Sequence, residues 1–216
     1  RQVHLGFPEA AAHLRPGRRT QVFALGNPIR PPDPDLDRAA CRNTFGLGEQ
    51  AVVALIVGGS QGSRTLNEAL AASLEQISAG ALPERPEGLE ILWATGPAHL
   101  DSVRQRIAPL DVQGWVHTIG YIDDMPVALA AADFALSRAG AITTAEMAAW
   151  GIPAVLVPLP TAAADHQTHN ARALAMCGAA VFVPESALSP AHLWGELRRL
   201  ASDDERRAAM YARARE

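Results

Sequence analysis

The sequence predicts an α/β protein with a Rossmann-like open parallel sheet and helices on both of its faces. From Ala51 onward, short apolar runs rich in β-branched residues alternate with stretches whose apolar residues recur at helical spacing. Each apolar run ends in glycine or in a polar cluster. That alternation is typical of parallel strands joined by crossover helices.

The predicted strands are continuous apolar runs, as expected for strands buried on both faces. They cover residues 51–60, 89–96, 115–122, 134–140, 153–160 and 179–184. The fourth predicted helix begins with an aspartate cap and Pro126 in its first turn, and the fifth ends at Gly151. The predicted helices cover residues 64–77, 99–110, 123–133, 141–151 and 166–178, with C-terminal helices from residue 189.

Composition excludes several classes of function. The 216 residues are 48% hydrophobic, 5% aromatic and carry a net charge of −4, which is typical of a soluble globular protein without a basic or base-stacking surface. We therefore predict no nucleic-acid partner. Cys41 and Cys177 have no metal-finger spacing and are expected to be reduced, as in cytosolic proteins.

The first fifty residues differ from the rest of the chain. The segment PIRPPDPDLDR contains four prolines and predicts a stiff, extended connector. We expect residues 1–30 to be the tail of a preceding domain together with the linker. Residues 31–216 are then expected to form one α/β domain, and the chain to be truncated at both ends.

In doubly wound sheets, ligands bind beyond the carboxyl ends of the strands, so the loops after the first, fourth and fifth strands are the candidate site. The first loop, VGGSQGSRTLN, combines Gly58, Gly59 and Gly62 with a following helix. Glycines allow close backbone approach, and a helix N-terminus attracts anions. The pattern fits a diphosphate site or a plain turn. It matches neither G-x-G-x-x-G nor a P-loop.

The second loop, SRAGAITTAE, also leads from a strand through glycine into a helix. Thr143 and Glu146 have the spacing of a capping box, in which the glutamate serves the helix start. Alternatively, the Glu146 carboxylate accepts hydrogen bonds from a vicinal diol such as a ribose. Local sequence leaves both interpretations open.

The third loop, PLPTAAADHQTHNA, places amides at another strand-to-helix junction. Gln167 and Asn170 can donate and accept, as sugar recognition requires, or can belong to a solvated helix start. A metal could use Asp165, His166 and His169, but the two histidines are three residues apart and do not form the i, i+4 pair of a zinc helix, so we predict no metal. The sequence assigns no role to the two histidines.

The order of these loops, from GNPIR through GGSQGSRTLN, YIDDM and ADFALSRAGAITTAEMAAWGIPAVLVPLP to DHQTHNA, closely resembles the MurG family of bacterial N-acetylglucosaminyltransferases. The similarity runs from about Val3 to the end of the chain. The resemblance implies a GT-B fold, of which this chain is the C-terminal half that binds UDP-GlcNAc. It implies inverting transfer without metal or cofactor, which converts lipid I to lipid II in peptidoglycan synthesis.

The resemblance also implies roles for particular residues. Arg30 is implied to contact the nucleotide sugar, Ser60 to lie near the diphosphate, and Ile122 to read the uracil edge through its backbone. The segment from Ala141 to Glu146 is implied to run from diphosphate to ribose, with Gln167 and Asn170 near the GlcNAc hydroxyls. The full predicted donor site is Arg30, Gly59, Ser60, Gln61, Gly62, Ile122, Gly140, Ala141, Ile142, Thr143, Thr144, Glu146, Gln167 and Asn170.

The family's N-terminal domain holds its proposed catalytic histidine, its acceptor site for lipid I and its membrane-facing patch, and nothing in this chain matches these. We therefore expect no catalytic residue here and no turnover by the isolated chain. Membrane association is expected only through the other domain, on the cytoplasmic face. Two alternatives remain: the donor domain of another GT-B glycolipid glycosyltransferase, and a non-catalytic module that binds nucleotide sugars.

Overall fold

The computed structural model describes residues 1–6, 11 and 14–215, and a six-stranded parallel sheet forms its centre. The elements in chain order are β1 (Gln2–Leu5), β2 (Gln21–Ala24), α1 (Arg38–Thr44), β3 (Val52–Val57), α2 (Arg64–Ser78), β4 (Leu89–Ala94), α3 (Leu100–Ile107), β5 (Val116–Ile119), α4 (Met125–Ala131), β6 (Phe134–Ser137), α5 (Ala141–Trp150), β7 (Ala154–Leu156), α6 (His166–Met176), β8 (Ala180–Phe182), α7 (Pro190–Ser202) and α8 (Asp204–Ala214). Every predicted strand and helix is confirmed.

The strands are ordered β5-β4-β3-β6-β7-β8, and all neighbouring pairs are parallel. The first strand of the sheet therefore lies in its middle, and the chain reverses direction across the sheet between β3 and β6. Val57 at the end of β3 pairs with Ser137 at the end of β6. This switch point is where open α/β sheets bind their ligands.

The sheet is covered on both faces, which explains why its strands are apolar on both sides. Ala54 and Ile56 of β3 pack toward α2, α3 and α7, while Val53, Leu55 and Val57 pack toward α1, α4, α5 and α6. Side chains that alternate along one strand thus serve two separate cores. No helix among the described residues is long and apolar enough to cross a membrane.

The strands β1 and β2 form a separate two-stranded parallel sheet, with Gln2 paired to Gln21. The proline-rich connector follows it and has no helix or strand before α1. Just before the connector, Asn27 Nδ2 donates to the carbonyl of Ala141 at the start of α5 over 3.3 Å, and Leu36 within the connector packs against the core of the larger sheet. The smaller sheet thus precedes the connector, where the sequence predicts a domain tail.

A buried arginine joins elements at the end of the sheet where the strands begin, opposite the switch point. Arg42 donates to the Asp133 carboxylate over 2.8 Å and to the carbonyls of Ala131 and Glu49. Asp133 immediately precedes β6 and also accepts from the Val53 N–H over 2.7 Å. This ion pair therefore joins α1 to the starts of β3 and β6.

Helix α5 ends at Gly151, as the sequence predicts, and the contribution of this glycine to stability can be measured. Gly151 has φ 69° and ψ 25°, and a Cβ there would lie 2.6 Å from the Tyr211 ring. We expect Gly151→Ala to lower the free energy of unfolding by about 1–2 kcal/mol, because a left-handed conformation disfavours any side chain. Urea unfolding measures the change.

Gly195 provides the matched control for that substitution. It lies inside α7, where a Cβ would meet open space. Gly195→Ala is therefore expected to raise the free energy of unfolding by about 0.5–1 kcal/mol, because alanine loses less backbone entropy in a helix. Equal effects of the two substitutions would contradict the left-handed cap.

Candidate functional site

Two glycine-containing turns meet at the switch point, and each one opens a helix. Residues 58–63 lead from β3 into α2, and residues 138–140 lead from β6 into α5. The first N–H groups of a helix lack intrahelical acceptors and carry partial positive charge. Two helix N-termini therefore flank one edge of the sheet, which suits an anionic ligand.

A cavity of about 220 Å³ opens at this edge. Of the predicted site residues, five line it: Gly59, Ser60, Ile122, Thr143 and Glu146. They come from two loops and from the first half of α5, so the fold brings together residues that are far apart in sequence. The remaining lining residues are Val57, Ala94, Gly120, Tyr121, Asp123 and Met125.

The glycines of the first turn are required for different reasons. A Cβ on Gly58 would overlap the backbone of Ser63, and one on Gly62 would overlap the carbonyl of Thr95. Gly59 has φ +99° and nothing within 4 Å of a Cβ position. Close packing thus accounts for Gly58 and Gly62, whereas Gly59 leaves bare backbone facing the cavity. The plain-turn interpretation accounts for Gly58 and Gly62, and the anion-site interpretation stays a prediction.

The capping-box interpretation of Thr143 and Glu146 is wrong. The N-cap of α5 is Gly140, so both residues lie inside the helix. In the first turn of α5, the Thr144 hydroxyl donates a hydrogen bond to the Gly140 carbonyl over 2.9 Å. Glu146 instead lines the cavity, and burial raises the pKa of its carboxyl.

The amides of the third loop connect neighbouring loops. Gln167 Oε1 accepts from the N–H of Ala139 over 3.2 Å and from that of Leu159 over 3.0 Å. Asn170 Nδ2 donates to the Ala139 carbonyl over 3.0 Å. These bonds hold the start of α6 against the second turn, and neither residue lines the cavity. Both amides therefore connect loops in this chain, and their role near the GlcNAc hydroxyls stays a prediction.

Arg30 lies on the connector, outside the cavity. Its Nη1 is 3.8 Å from Oδ1 of Asp124, and both side chains are exposed. Asp124 stands at the predicted N-cap of α4, with Pro126 in the first turn, but its side chain makes no capping hydrogen bond. An exposed pair at this distance contributes little to stability, so Arg30 can exchange partners at low cost.

The remaining predicted residues surround the two turns. Gly140, Ala141 and Ile142 form the start of α5, Gln61 is exposed in the first turn, and Thr144 is buried. Asp165, with φ 54°, precedes α6, and Nδ1 of the neighbouring His166 lies 2.6 Å from the Ala163 carbonyl. Among the residues that the structure describes, no three metal-ligating side chains are grouped.

Tyr121 and Arg138 were not among the predicted site residues. Tyr121 lines the cavity with 53% of its surface exposed, and an aromatic residue near the end of the third predicted strand of an aromatic-poor chain was the available signal. Arg138 is 7% exposed directly after β6. A charged residue that ends an apolar strand was the signal there, since buried charges are almost always paired.

The strand order and the cavity at the switch point define the Rossmann-like class of α/β domains. The family model described as the glycosyltransferase family 28 C-terminal domain matches residues 53–216. The chain belongs to this family.

Curated relatives extend the match over the whole chain. The Salinibacter ruber protein named UDP-N-acetylglucosamine--N-acetylmuramyl-(pentapeptide) pyrophosphoryl-undecaprenol N-acetylglucosamine transferase is 40% identical over 216 residues, which are 100% of this chain and 55% of that protein. The Moorella thermoacetica protein of the same name is 40% identical over 218 residues, with 99% and 57% covered.

A solved structure supports the same relationship. The crystal structure of Acinetobacter baumannii MurG matches with a TM-score of 0.69 and 30% identity, over 99% of this chain and 55% of that one. The predicted resemblance and the GT-B half-fold are confirmed. The chain spans about half the length of the relatives that it matches.

Proposed function

We propose that this chain is the UDP-GlcNAc-binding half of an inverting, metal-independent N-acetylglucosaminyltransferase that converts lipid I to lipid II in peptidoglycan synthesis. Its family and the names of its relatives support the donor and the acceptor. Identity of 40% to those relatives favours this reaction over that of a different glycolipid glycosyltransferase.

One observation carries the proposal. The turn that leads into α2 and the N-terminal half of α5 line a single cavity, and the carboxylate of Glu146 on α5 lines it without serving as a cap. We assign the diphosphate to the two turns, the ribose hydroxyls to Glu146, and the uracil to the loop containing Tyr121 and Ile122. Arg30 is assigned to the nucleotide sugar, which it would reach by leaving Asp124.

This arrangement suits the departure of UDP. Negative charge develops on the diphosphate as the bond to the sugar breaks, and fixed helix N-termini stabilise such charge without a metal. The acceptor hydroxyl of lipid I attacks the anomeric carbon from the opposite side, which inverts its configuration. We assign the general base and the acceptor site to the half of the relatives that this chain does not cover.

The same proposal includes the domain organisation and the location. Residues 1–30 are assigned to the end of an N-terminal domain and the linker, and residues 31–216 to the donor domain. The separate two-stranded sheet before the connector supports this division. The whole protein is proposed to bind peripherally to the cytoplasmic face of the cell membrane, through its N-terminal domain.

Isothermal titration of the chain tests the donor assignment. UDP and UDP-GlcNAc are expected to bind, and ADP-glucose to bind about tenfold more weakly or worse, because an adenine cannot reproduce the hydrogen bonds of a uracil edge. Equal affinity for all three compounds, or binding of none, would contradict the proposal. Nucleotide binding that shows no preference for uracil would favour a general nucleotide-binding module.

A further inference from the structure

The buried guanidinium of Arg138 contacts several loops of the candidate site without lining its cavity. Its Nε donates to Ser63 Oγ over 3.1 Å, and its Nη1 donates to the carbonyls of Val157 and Pro158 over 3.2 and 3.1 Å. Its Nη2 is 2.5 Å from Glu185 Oε2. One side chain therefore joins the N-cap of α2, the loops after β6 and β7, and the turn that follows β8.

The bond to Ser63 extends this connection to the first glycine-containing turn. Ser63 is the N-cap of α2, and its hydroxyl also accepts from the Leu66 N–H over 3.4 Å. Ser60, which lines the cavity, is three residues earlier in the same turn. Arg138 thus holds the hydroxyl that caps α2, in the same turn as a residue that lines the cavity.

The charge of Arg138 is not directed at the cavity. Glu185 pairs with it, and the two side chains are only 8% and 25% exposed. The planar guanidinium offers donors in several fixed directions, which is how it reaches four acceptors at once. A lysine would keep the charge but could not hold this set of bonds.

We propose that Arg138 is a positioning residue for diphosphate binding, acting through Ser63 on the amino end of α2, with Glu185 holding the guanidinium in place. This inference rests on the proposed function. It adds a residue outside the cavity that controls affinity for the phosphates but not for the nucleoside.

The test compares UDP with uridine, which lacks the phosphates. Arg138→Lys is expected to weaken UDP binding about fivefold, since the turn loses its fixed geometry, while uridine affinity changes by less than about twofold. Titration calorimetry measures UDP binding, and NMR titration measures uridine. A purely structural role would change both affinities together or neither.

Arg42→Lys is the matched control. Arg42 is also a buried guanidinium that bonds two carbonyls and a carboxylate, but it lies at the opposite edge of the sheet. Its replacement is expected to lower the melting temperature and to leave the affinities for UDP and uridine unchanged.

A double substitution tests the route through Ser63. If Arg138 acts through that hydroxyl, Arg138→Lys combined with Ser63→Ala weakens UDP binding no more than the stronger single substitution does. If the two losses of UDP affinity multiply in the double variant, the inference is overturned, because Arg138 and Ser63 would then act independently.

Glu185→Gln keeps the inference testable if Arg138→Lys does not fold. Positioning predicts weaker UDP binding, by about twofold to threefold, despite the removal of a negative charge. Tighter UDP binding would overturn the inference, because it would mean that Arg138 acts by charge. Absence of UDP binding by the unaltered chain would overturn the proposed function and this inference together, whereas UDP and uridine affinities that fall equally would overturn the inference alone.

Discussion

Replacing Glu146 with alanine is expected to weaken UDP binding roughly 10- to 100-fold, which corresponds to about 1–3 kcal/mol for charged hydrogen bonds lost with the ribose. The helix should persist, because its N-cap is Gly140 and not the Thr143–Glu146 pair. Titration calorimetry with UDP measures the affinity, and circular dichroism measures the helix. Glu87→Ala is the control, since this exposed residue lies before β4 at the other edge of the sheet.

The raised pKa of Glu146 gives the same prediction a pH dependence. A carboxylate accepts both ribose hydroxyls only when it is ionised, so affinity for UDP-GlcNAc should fall as pH decreases through the raised pKa. Because burial raises that pKa, the loss should begin at higher pH than an ordinary glutamate would give. The diphosphate of UDP-GlcNAc does not titrate in this range. Glu146→Gln should abolish this pH dependence.

Stability should change in the opposite direction. A carboxyl whose pKa is higher in the folded than in the unfolded chain stabilises the fold only while protonated, and this contribution is lost as pH rises through the folded pKa. Above the folded pKa, the ionised Glu146 therefore costs folding free energy. Glu146→Gln should make the ligand-free chain more stable while weakening UDP binding. A variant that loses stability and keeps its affinity would contradict the ribose assignment.

Gly62→Ala is expected to lower the free energy of unfolding by about 3 kcal/mol or more. The left-handed backbone at φ +77° costs about 1–2 kcal/mol for alanine, and the overlap with the Thr95 carbonyl adds about 1–3 kcal/mol. Thr95 lies just after β4, so neither backbone can move without disturbing the sheet. Urea unfolding followed by circular dichroism measures the effect.

Gly59→Ala is the matched control in the same turn. Its φ is also positive, but a Cβ there meets nothing within 4 Å. Its cost in stability should therefore be limited to the conformational term of about 1–2 kcal/mol. UDP affinity should nevertheless fall, because the methyl group would enter the cavity side of the turn. If Gly62→Ala lowers the free energy of unfolding no more than Gly59→Ala does, the overlap with the Thr95 carbonyl makes no contribution and the prediction is wrong.

The regular elements could be predicted from sequence because each depends on a local pattern. Apolar runs and helical spacing are periodic over several residues, and the glycine at position 151 marks a helix end directly. The position of the site followed from the same alternation, since parallel strands place their carboxyl ends at one edge. Gly59, Ser60, Thr143 and Glu146 were found in this way, whereas Ile122, in the loop after the third predicted strand, was named only through the family resemblance.

Contacts between distant residues could not be predicted. The bonds of Arg138 reach partners 75, 47, 20 and 19 residues away, and no local pattern encodes them. The capping box failed for a related reason. Its spacing was correct, but the helix begins at Ala141, as its helical pattern predicts, and not after Thr143 as a capping box requires.

The central position of β3 determines when, during synthesis, the edge of the sheet that holds the candidate site can form. Val57 and Ser137 become neighbours only after two complete strand–helix units have been translated between them. Pairings of such high sequence separation form late and limit the folding rate. A nascent chain that does not yet include β6 exposes the unpaired, apolar side of β3 and has no cavity at its end. Protection by chaperones is therefore expected to matter most before β6 has been translated.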